Sequence, residues 1–338
     1  MASFQSVEDP IPECTAASGS SIFSISTMDG RLEYIDEGTH SSLPPLLFLH
    51  GYLADAESFR GVLDYMTLHG YRVIALDFPG YGYNRHLAPL SSMNGWVDYV
   101  FNFLSSLNLQ SCILVGHSLG GMVAQQFAVS HPNYCSKLIL SGTSCIGRIP
   151  CRFETLEESI DRFHKLGFVS TAHEIVKRGF QSNLTETYRL SHLAFGAVSR
   201  TSLEAVEASF RGMLNWGDTG RANLDADLIR VPTLILWGDK DSTIERTLAN
   251  RLEESIRSSY LSVLPQTGHF SHLEIPSIIG ENILCFLHGQ PVPQYRFEFF
   301  SAAEIALCLD DDRCVSKRLL ETLPPRDQRQ QAVYRLTW

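Results

Sequence analysis

The serine in ILVGHSLGG, residues 113–121, stands between an apolar run typical of a strand and a run typical of a helix. A serine at such a junction can cap the helix by accepting a hydrogen bond from a backbone N–H of the first turn. Gly116 and Gly120 lie two residues before and two after Ser118, a spacing typical of the tight strand–turn–helix that presents a nucleophilic serine. A cap makes no demand for glycine, and glycine is costly in a first helical turn. The pattern therefore favours a nucleophile at Ser118 over a helix cap.

Activation of a serine hydroxyl takes a base that accepts its proton and an acid that orients the base. When the serine lies on a turn of this kind, an acid and then a histidine follow it along the chain. The segment PTLILWGDKDSTI offers Asp239 and Asp241 after one apolar run, and TGHFSHLEIP offers His269 and His272 after the next. The residue types and their order predict a Ser–Asp–His triad, with two candidates for the acid and two for the base.

Short apolar runs alternate with longer segments of helical periodicity, which predicts a wound α/β sheet. From Leu46 onward the runs are mostly continuous, as expected for strands buried on both faces of a parallel sheet. The predicted strands are Ser21–Ser26, Arg31–Asp36, Leu46–His50, Arg72–Asp77, Cys112–Val115, Lys137–Ser141, Thr233–Trp237 and Tyr260–Leu264. The predicted helices are Ser58–His69, Asn94–Asn108, Leu119–His131, Ile244–Ser255 and Pro276–His288. The candidate aspartates and histidines follow strands, so they should meet the serine at the carboxyl edge of the sheet.

One long interruption of this alternation contains only helical patterns. Within it, RFETLEESIDRFHKLG predicts an amphipathic helix that ends at Gly167. An insertion after a strand is a candidate lid over the edge where open α/β sheets bind ligands, and added packing bulk is the alternative. GQPVPQYRFEFF predicts a linker, and the segment after it predicts one or two short helices. The predicted division is a flexible segment 1–20, a core of 21–145 and 216–288, a helical cap 146–215, and an extension of unknown role 289–338.

Five motifs in this order resemble those of the α/β-hydrolase superfamily: HGYLADAESF, DFPGYGYNR, GHSLGG, LWGDKD and GHFSHLEIP. They lie between about Ile22 and His288, and the chain is similar to the esterases, lactonases and C–C hydrolases that carry a lid. The resemblance implies an α/β-hydrolase fold, with a mostly parallel eight-stranded sheet flanked by helices and a helical lid insertion. Carried over residue by residue, it makes Asp241 the acid and His269 the base, and leaves Asp239 to structure its loop.

The resemblance also assigns groups around the reacting atoms. The backbone N–H of Tyr52, which follows His-Gly in FLHGY, and that of Leu119 would form an oxyanion hole. His50 is expected to support this loop. His117 and His272 are candidate substrate contacts, and His272 aligns with a position near the mouth of the site.

Two departures from the family pattern bear on the reaction. Asn84 replaces the serine of D-x-P-G-x-G-x-S, so packing near the site is expected to differ. The oxyanion segment lacks the Gly-Pro-Gly insertion typical of ring-cleavage C–C hydrolases, which disfavours that reaction. Serine at position 118, where epoxide hydrolases and dehalogenases carry an aspartate, favours acyl transfer.

Charge and composition argue against several classes of protein. With 27 Lys and Arg against 37 Asp and Glu, the formal net charge is −10, and no basic run occurs, so no nucleic-acid partner is expected. The N-terminus lacks a secretory pattern and the longest apolar runs have strand length, which predicts a cytoplasmic protein with no integral membrane segment. The cysteines show no metal-ligand spacing, and we expect neither a metal nor a cofactor.

These features predict a metal-independent serine hydrolase that cleaves an ester, lactone or thioester of a small, largely apolar acyl substrate through an acyl-enzyme. One alternative is a small-molecule receptor that retains the triad. The other is a biosynthetic lyase, acyltransferase or C–C bond hydrolase that uses the same pocket.

Overall fold

An eight-stranded sheet organises the residues that the computed structural model describes: 21–38, 43–145, 156–180, 194–218, 226–298 and 333–337. Its strands are β1 (Ile22–Thr27), β2 (Gly30–Glu37), β3 (Leu46–Leu49), β4 (Val73–Leu76), β5 (Cys112–His117), β6 (Cys135–Ser141), β7 (Thr233–Gly238) and β8 (Ser259–Leu264). They lie in the order β1-β2-β4-β3-β5-β6-β7-β8. β3 to β8 are parallel, whereas β2 is antiparallel to both β1 and β4. The predicted mostly parallel sheet is confirmed.

Ten helices flank this sheet or lie at its edge within the described residues. They are α1 (Arg60–Leu68), α2 (Met93–Ser106), α3 (Leu119–Ser130), α4 (Leu156–Leu166), α5 (Phe168–Gly179), α6 (residues 194–199), α7 (Leu203–Asp218), α8 (Arg246–Ser255), α9 (Ser271–Glu274) and α10 (Pro276–Leu287). Each of the predicted strands and the five predicted core helices lies within two residues of an observed one. The patterns of apolar residues were therefore sufficient to locate the core elements.

The central strands are buried on both faces, which explains their continuous apolar sequences. In β3, Leu47 and Leu49 face the side covered by α2, α3 and α8, while Leu46 and Phe48 face the side covered by α1 and α10. Every residue of β3, β4, β5 and β7 is buried. Because successive side chains point to opposite faces, both faces need apolar residues and the alternation disappears.

The helices α4 to α7, which we call the cap, occupy the interruption in the strand pattern. The predicted amphipathic helix is α4, and Gly167, at φ 86°, separates it from α5. Apolar residues of the cap form a third buried cluster with Leu53, Phe270 and Leu273 of the core. α7 continues to Asp218, past the predicted boundary at 215. The cap therefore packs on segments that follow strands β3 and β8.

The segment predicted as a linker is in part a strand. β9 (Gln294–Glu298) pairs antiparallel with β10 (Val333–Thr337), so the linker interpretation was wrong over these residues. QYRFE alternates polar and apolar residues, a strand signal that the preceding prolines Pro291 and Pro293 obscured, and YRLT in β10 alternates in the same way. The predicted flexible segment 1–20 and the helices predicted after the linker lie outside the described residues. Among the helices that are described, none is long and apolar enough to cross a membrane.

Candidate active site

Ser118 occupies the sharp turn between β5 and α3. Its backbone lies at φ 50° and ψ −116°, a conformation that a non-glycine residue rarely adopts. Its side chain makes no hydrogen bond that caps α3. The turn is fixed by the backbone instead: Ser118 N–H donates to Ser141 O at 3.0 Å, and Thr143 Oγ1 donates to Ser118 O at 2.7 Å. Such strain persists only where the surroundings enforce it.

The glycines around Ser118 are required by close backbone approaches. A Cβ added to Gly116 would lie 2.5 Å from Gly120 O. A Cβ added to Gly120 would collide with the carbonyl oxygens of Leu49 and His50. None of these three oxygens can rotate away, because all are main-chain atoms. The spacing of glycines in the sequence therefore reflects the packing of the turn against the end of β3.

Asp241 and His269 form a buried hydrogen-bonded pair. Asp241 lies in the turn after β7 and His269 in the loop after β8. Asp241 Oδ2 accepts from His269 Nδ1 at 2.8 Å, while Oδ1 accepts from the backbone N–H groups of Thr243 and Ile244 at 2.8 and 3.0 Å. Because the carboxylate accepts from Nδ1, the lone pair of the neutral imidazole lies on Nε2. This is the arrangement that a general base requires.

Two further carboxylates connect the loops that carry this pair. Asp239 Oδ1 accepts from the backbone N–H of Thr267 at 3.4 Å, in agreement with its expected role in loop structure. Glu274 accepts from the backbone N–H of Gly268 at 3.0 and 3.2 Å. Glu274 was not predicted from the sequence, although its position shortly after His269 was a usable signal.

The predicted oxyanion turn lies against Ser118. A Cβ added to Gly51 would lie 3.0 Å from Ser118 Cβ. Ala54 N–H donates to Gly51 O at 3.3 Å, and Leu53, at φ 57°, has a conformation more typical of glycine. Leu119 is the first residue of α3, so its N–H has no acceptor inside the helix and lies at the positive end of the helix dipole. Of the two predicted donors, Leu119 therefore begins α3 directly after Ser118, and Tyr52 belongs to the turn whose Gly51 closely approaches the Ser118 side chain.

His50 stabilises the base of this turn, as the sequence predicted. Its Nε2 accepts from the backbone N–H of Phe78 at 2.9 Å, so Nδ1 is the atom that donates to Gly51 O at 2.8 Å. Complete burial lowers the pKa of His50 to about 4. The ring is therefore neutral near pH 7 and fixes one tautomer.

The departure at Asn84 is explained by a buried hydrogen-bond network. Its side-chain amide donates to Asp77 O at 2.9 Å and to Glu33 O at 3.0 Å, and its carbonyl accepts from Glu33 N–H at 2.8 Å. Asp77 accepts from the backbone N–H groups of Ala56 and Tyr83 at 2.7 and 2.8 Å. Burial, and then the nearby carboxylate of Asp55, raises the pKa of Asp77 to about 8. The amide of Asn84 bonds both to Asp77 and to Glu33 of β2, which the shorter hydroxyl of a serine could not do.

His117 and His272 are placed in the interior behind His269. His117 Nε2 donates to His269 O at 3.0 Å, and its ring centroid lies 4.4 Å from that of His272. The His272 ring also packs on Phe59, at 4.7 Å between centroids. Burial lowers the pKa of both rings, that of His272 to about 3. The predicted substrate contacts of these side chains stay a prediction.

A model of the alpha/beta hydrolase fold matches residues 44–276. The chain therefore belongs to the α/β-hydrolase family. Among the described residues, no group of three His, Cys, Asp or Glu side chains is arranged to hold a metal ion.

Individual relatives span most of the chain. An uncharacterized hydrolase of Bacillus subtilis (strain 168), YugF, is 26% identical over 273 residues, which cover 77% of this chain and 96% of the relative. Monoacylglycerol lipase ABHD6 of Homo sapiens is 26% identical over 285 residues, 77% of this chain and 80% of the lipase. Epoxide hydrolase 4 of Homo sapiens is 27% identical over 285 residues, 76% of this chain and 75% of that enzyme. These similarities support a hydrolase of small molecules.

Solved structures agree on the fold. An enol-lactonase from Burkholderia xenovorans LB400 superposes with a TM-score of 0.70 at 18% identity, covering 78% of this chain and 99% of the lactonase. A thermophilic esterase from Thermogutta terrifontis superposes with a TM-score of 0.67 at 24% identity, covering 80% of this chain and 99% of the esterase.

Proposed function

We propose that the protein is a metal-independent serine hydrolase that cleaves an ester, lactone or thioester through an acyl-enzyme intermediate. The observation that carries this proposal is the strained backbone of Ser118, which has no capping hydrogen bond, at the same edge as the 2.8 Å Asp241–His269 pair. A serine in this conformation has no role in the helix that would explain the strain. Its hydroxyl is thus free to act as a nucleophile.

In the first half-reaction, Ser118 Oγ attacks the carbonyl carbon of the substrate while His269 Nε2 accepts the hydroxyl proton. Asp241 keeps Nδ1 as the donor and stabilises the imidazolium that forms. Collapse of the tetrahedral intermediate breaks the bond to the leaving group, which receives the proton from His269. Ser118 then carries the acyl group as an ester.

In the second half-reaction, water attacks the acyl-enzyme as His269 accepts one of its protons, and the proton then returns to Ser118 Oγ. In both halves, negative charge on the carbonyl oxygen is stabilised by the backbone N–H groups of Tyr52 and Leu119. Removal of one such donor typically costs about 3–4 kcal/mol of transition-state stabilisation. The position of Leu119 at the start of α3 adds the favourable helix dipole.

The surroundings of the proposed site favour a small, largely apolar acyl group. The cluster between the cap and the core contains Leu53, beside Tyr52, and Phe270, beside His269. Phe180 of the cap stacks on Phe270 with 4.9 Å between centroids. A substrate that binds between these side chains is expected to bury apolar surface.

The cytoplasmic location stays a prediction.

Labelling with a fluorophosphonate, followed by peptide mapping, tests the nucleophile. We expect an adduct on Ser118 and hydrolysis of short p-nitrophenyl esters or lactones. Ser118→Ala should abolish labelling and lower kcat by about 10⁴-fold or more, since the triad acts as a unit. Ser106→Ala is the matched control, because it removes a serine hydroxyl that lies on α2 and donates to Asn102 O. Full turnover by Ser118→Ala would contradict the proposal, and ligand binding with negligible turnover would favour a receptor.

A further inference from the structure

The last turn of cap helix α5 is hydrogen-bonded to both loops of the acid–base pair. Gly179 O accepts from the backbone N–H of His269 at 2.6 Å. One residue earlier, Arg178 O accepts from Ser242 Oγ at 2.6 Å, and Ser242 directly follows Asp241. The last carbonyls of a helix have no acceptor role inside it, so these contacts satisfy groups that would otherwise need water.

Gly179 fits this position because the helix end lies very close to the core. A Cβ at Gly179 would collide with the ring of Phe270 and lie 3.5 Å from His269 Cβ. Phe180, the next residue, stacks on Phe270. The end of α5 therefore packs directly on the segment that carries the proposed base.

A second contact joins the cap to the oxyanion turn. The Nε and Nη2 atoms of Arg200, which follows α6, each lie 2.6 Å from Asp55 Oδ2. Asp55 follows Tyr52 by three residues, and its side chain is 2% exposed. Between them, Leu53 is buried in the apolar cluster shared with the cap. Displacement of the cap would break this charge-assisted contact, which involves a carboxylate that is buried when the cap is docked.

We propose that the cap is a fixed positioning element of the active site: Arg178 and Gly179 hold the acid and base loops through their carbonyls, and Arg200 holds the oxyanion turn through Asp55. These residues touch no reacting atom and act through Ser242, His269 and Asp55. The catalytic geometry then requires the docked cap. Unlike a mobile lid, the cap does not open when the protein meets a lipid–water interface. This inference rests on the proposed serine-hydrolase function.

The contact at α5 is tested by Ser242→Ala, which removes one exposed hydroxyl and leaves the hydrogen bonds of Asp241 to Thr243 and Ile244 in place. We expect kcat and the rate of Ser118 labelling to fall together by about 5–10-fold, the equivalent of one net hydrogen bond, with KM changed less than about twofold. The control Ser106→Ala should keep the wild-type labelling rate. Thermal unfolding of each variant checks that its unfolding midpoint lies well above the assay temperature.

The contact at the oxyanion turn is tested by comparing Arg200→Gln with Arg200→Lys. We expect Arg200→Gln to lower kcat by about 100-fold, whereas Arg200→Lys, which keeps the charge but not the planar donor geometry, should recover about tenfold. A purely structural role would lower the unfolding midpoint of both variants without this split in kcat.

The absence of cap opening is tested on the wild-type protein. Its rate with p-nitrophenyl butyrate should saturate smoothly across the solubility limit of the ester and show no jump on addition of phosphatidylcholine vesicles.

The outcomes separate this inference from the proposed function. If the wild-type protein is not labelled at Ser118, the serine-hydrolase proposal fails. If the wild type is labelled but Ser242→Ala reacts at the wild-type rate, only the role of the cap is overturned, even if the Arg200 variants fail to fold. A jump in rate at the solubility limit or with vesicles also overturns it.

Discussion

The core and the cap bury apolar surface in different ways. In the core, continuous apolar strands such as β5 are buried along their whole length and pair with neighbours on both sides. The cap has no strand among its described residues, and amphipathic helices such as α4 contribute single faces to a cluster that also needs Leu53 and Phe270 from the core. The core geometry therefore depends on patterns repeated along the chain, whereas the position of the cap depends on a few contacts between distant residues.

The largest effect is expected from Gly120→Ala, which tests the rigidity of the core. The added methyl collides with main-chain oxygens of Leu49 and His50, so the turn at Ser118 must move. We expect a loss of about 4 kcal/mol or more in the free energy of unfolding, and activity below detection. Gly70→Ala is the control: at φ 82° with nothing near the methyl, it should cost only about 1–2 kcal/mol. Urea unfolding measures both, and equal losses would contradict the argument from close packing.

A pair of phenylalanine truncations compares the two regions directly. Phe103 lies in the core at 0% exposure and Phe163 in the cap at 2%. We expect each change to alanine to cost about 3–5 kcal/mol, because both create cavities. Loss of activity and loss of far-UV circular dichroism should coincide in urea for Phe163→Ala, since the cap cluster includes core residues. If activity disappears at a lower urea concentration, the cap unfolds on its own.

The pH dependence of stability tests the buried histidines behind the site. The unfolded chain protonates His272 below its ordinary pKa of 6.5, whereas the folded pKa is lowered to about 3 by burial and, second, by His269. The unfolded state then binds more protons between these values, so stability is complete above pH 6.5 and falls as the pH falls. His272 alone should cost about 2 kcal/mol between pH 7 and pH 5. His272→Phe should flatten this slope in urea titrations, and an unchanged slope would contradict it.

The smallest effect is expected on the outer face of the cap. Lys165 pairs with Asp161 at 2.6 Å on α4, but their side chains are 70% and 54% exposed. Solvent and salt screen such a pair, so Lys165→Ala should change stability by no more than about 0.5 kcal/mol and leave kcat unchanged. A larger loss in urea unfolding would mean that this face has contacts beyond the ion pair.

Features with a strong local signal were predicted accurately from the sequence: β5, Ser118 and α3 lie within two residues of their predicted positions, because glycine spacing and apolar runs are local signals. Glu274 was missed and β9 was interpreted as part of a linker, although the position of Glu274 six residues after Gly268 and the alternation in QYRFE are local signals. Asp55 and Arg200 were missed for another reason. They pair across 145 positions of the chain, and no local pattern reports such a pairing.

The sequence by itself determined the fold class and the candidates Ser118, Asp241 and His269, because each lies in a short motif after a strand whose burial is encoded in its own residues. Only the tertiary structure showed that Ser118 lacks a capping hydrogen bond, that Asp241 Oδ2 accepts from His269 Nδ1, and that α5 ends on the His269 loop. Those outcomes depend on contacts between segments that are far apart in the chain, such as the hydrogen bond between Gly179 and His269. Local periodicity sets which faces are buried, while packing sets which loops meet.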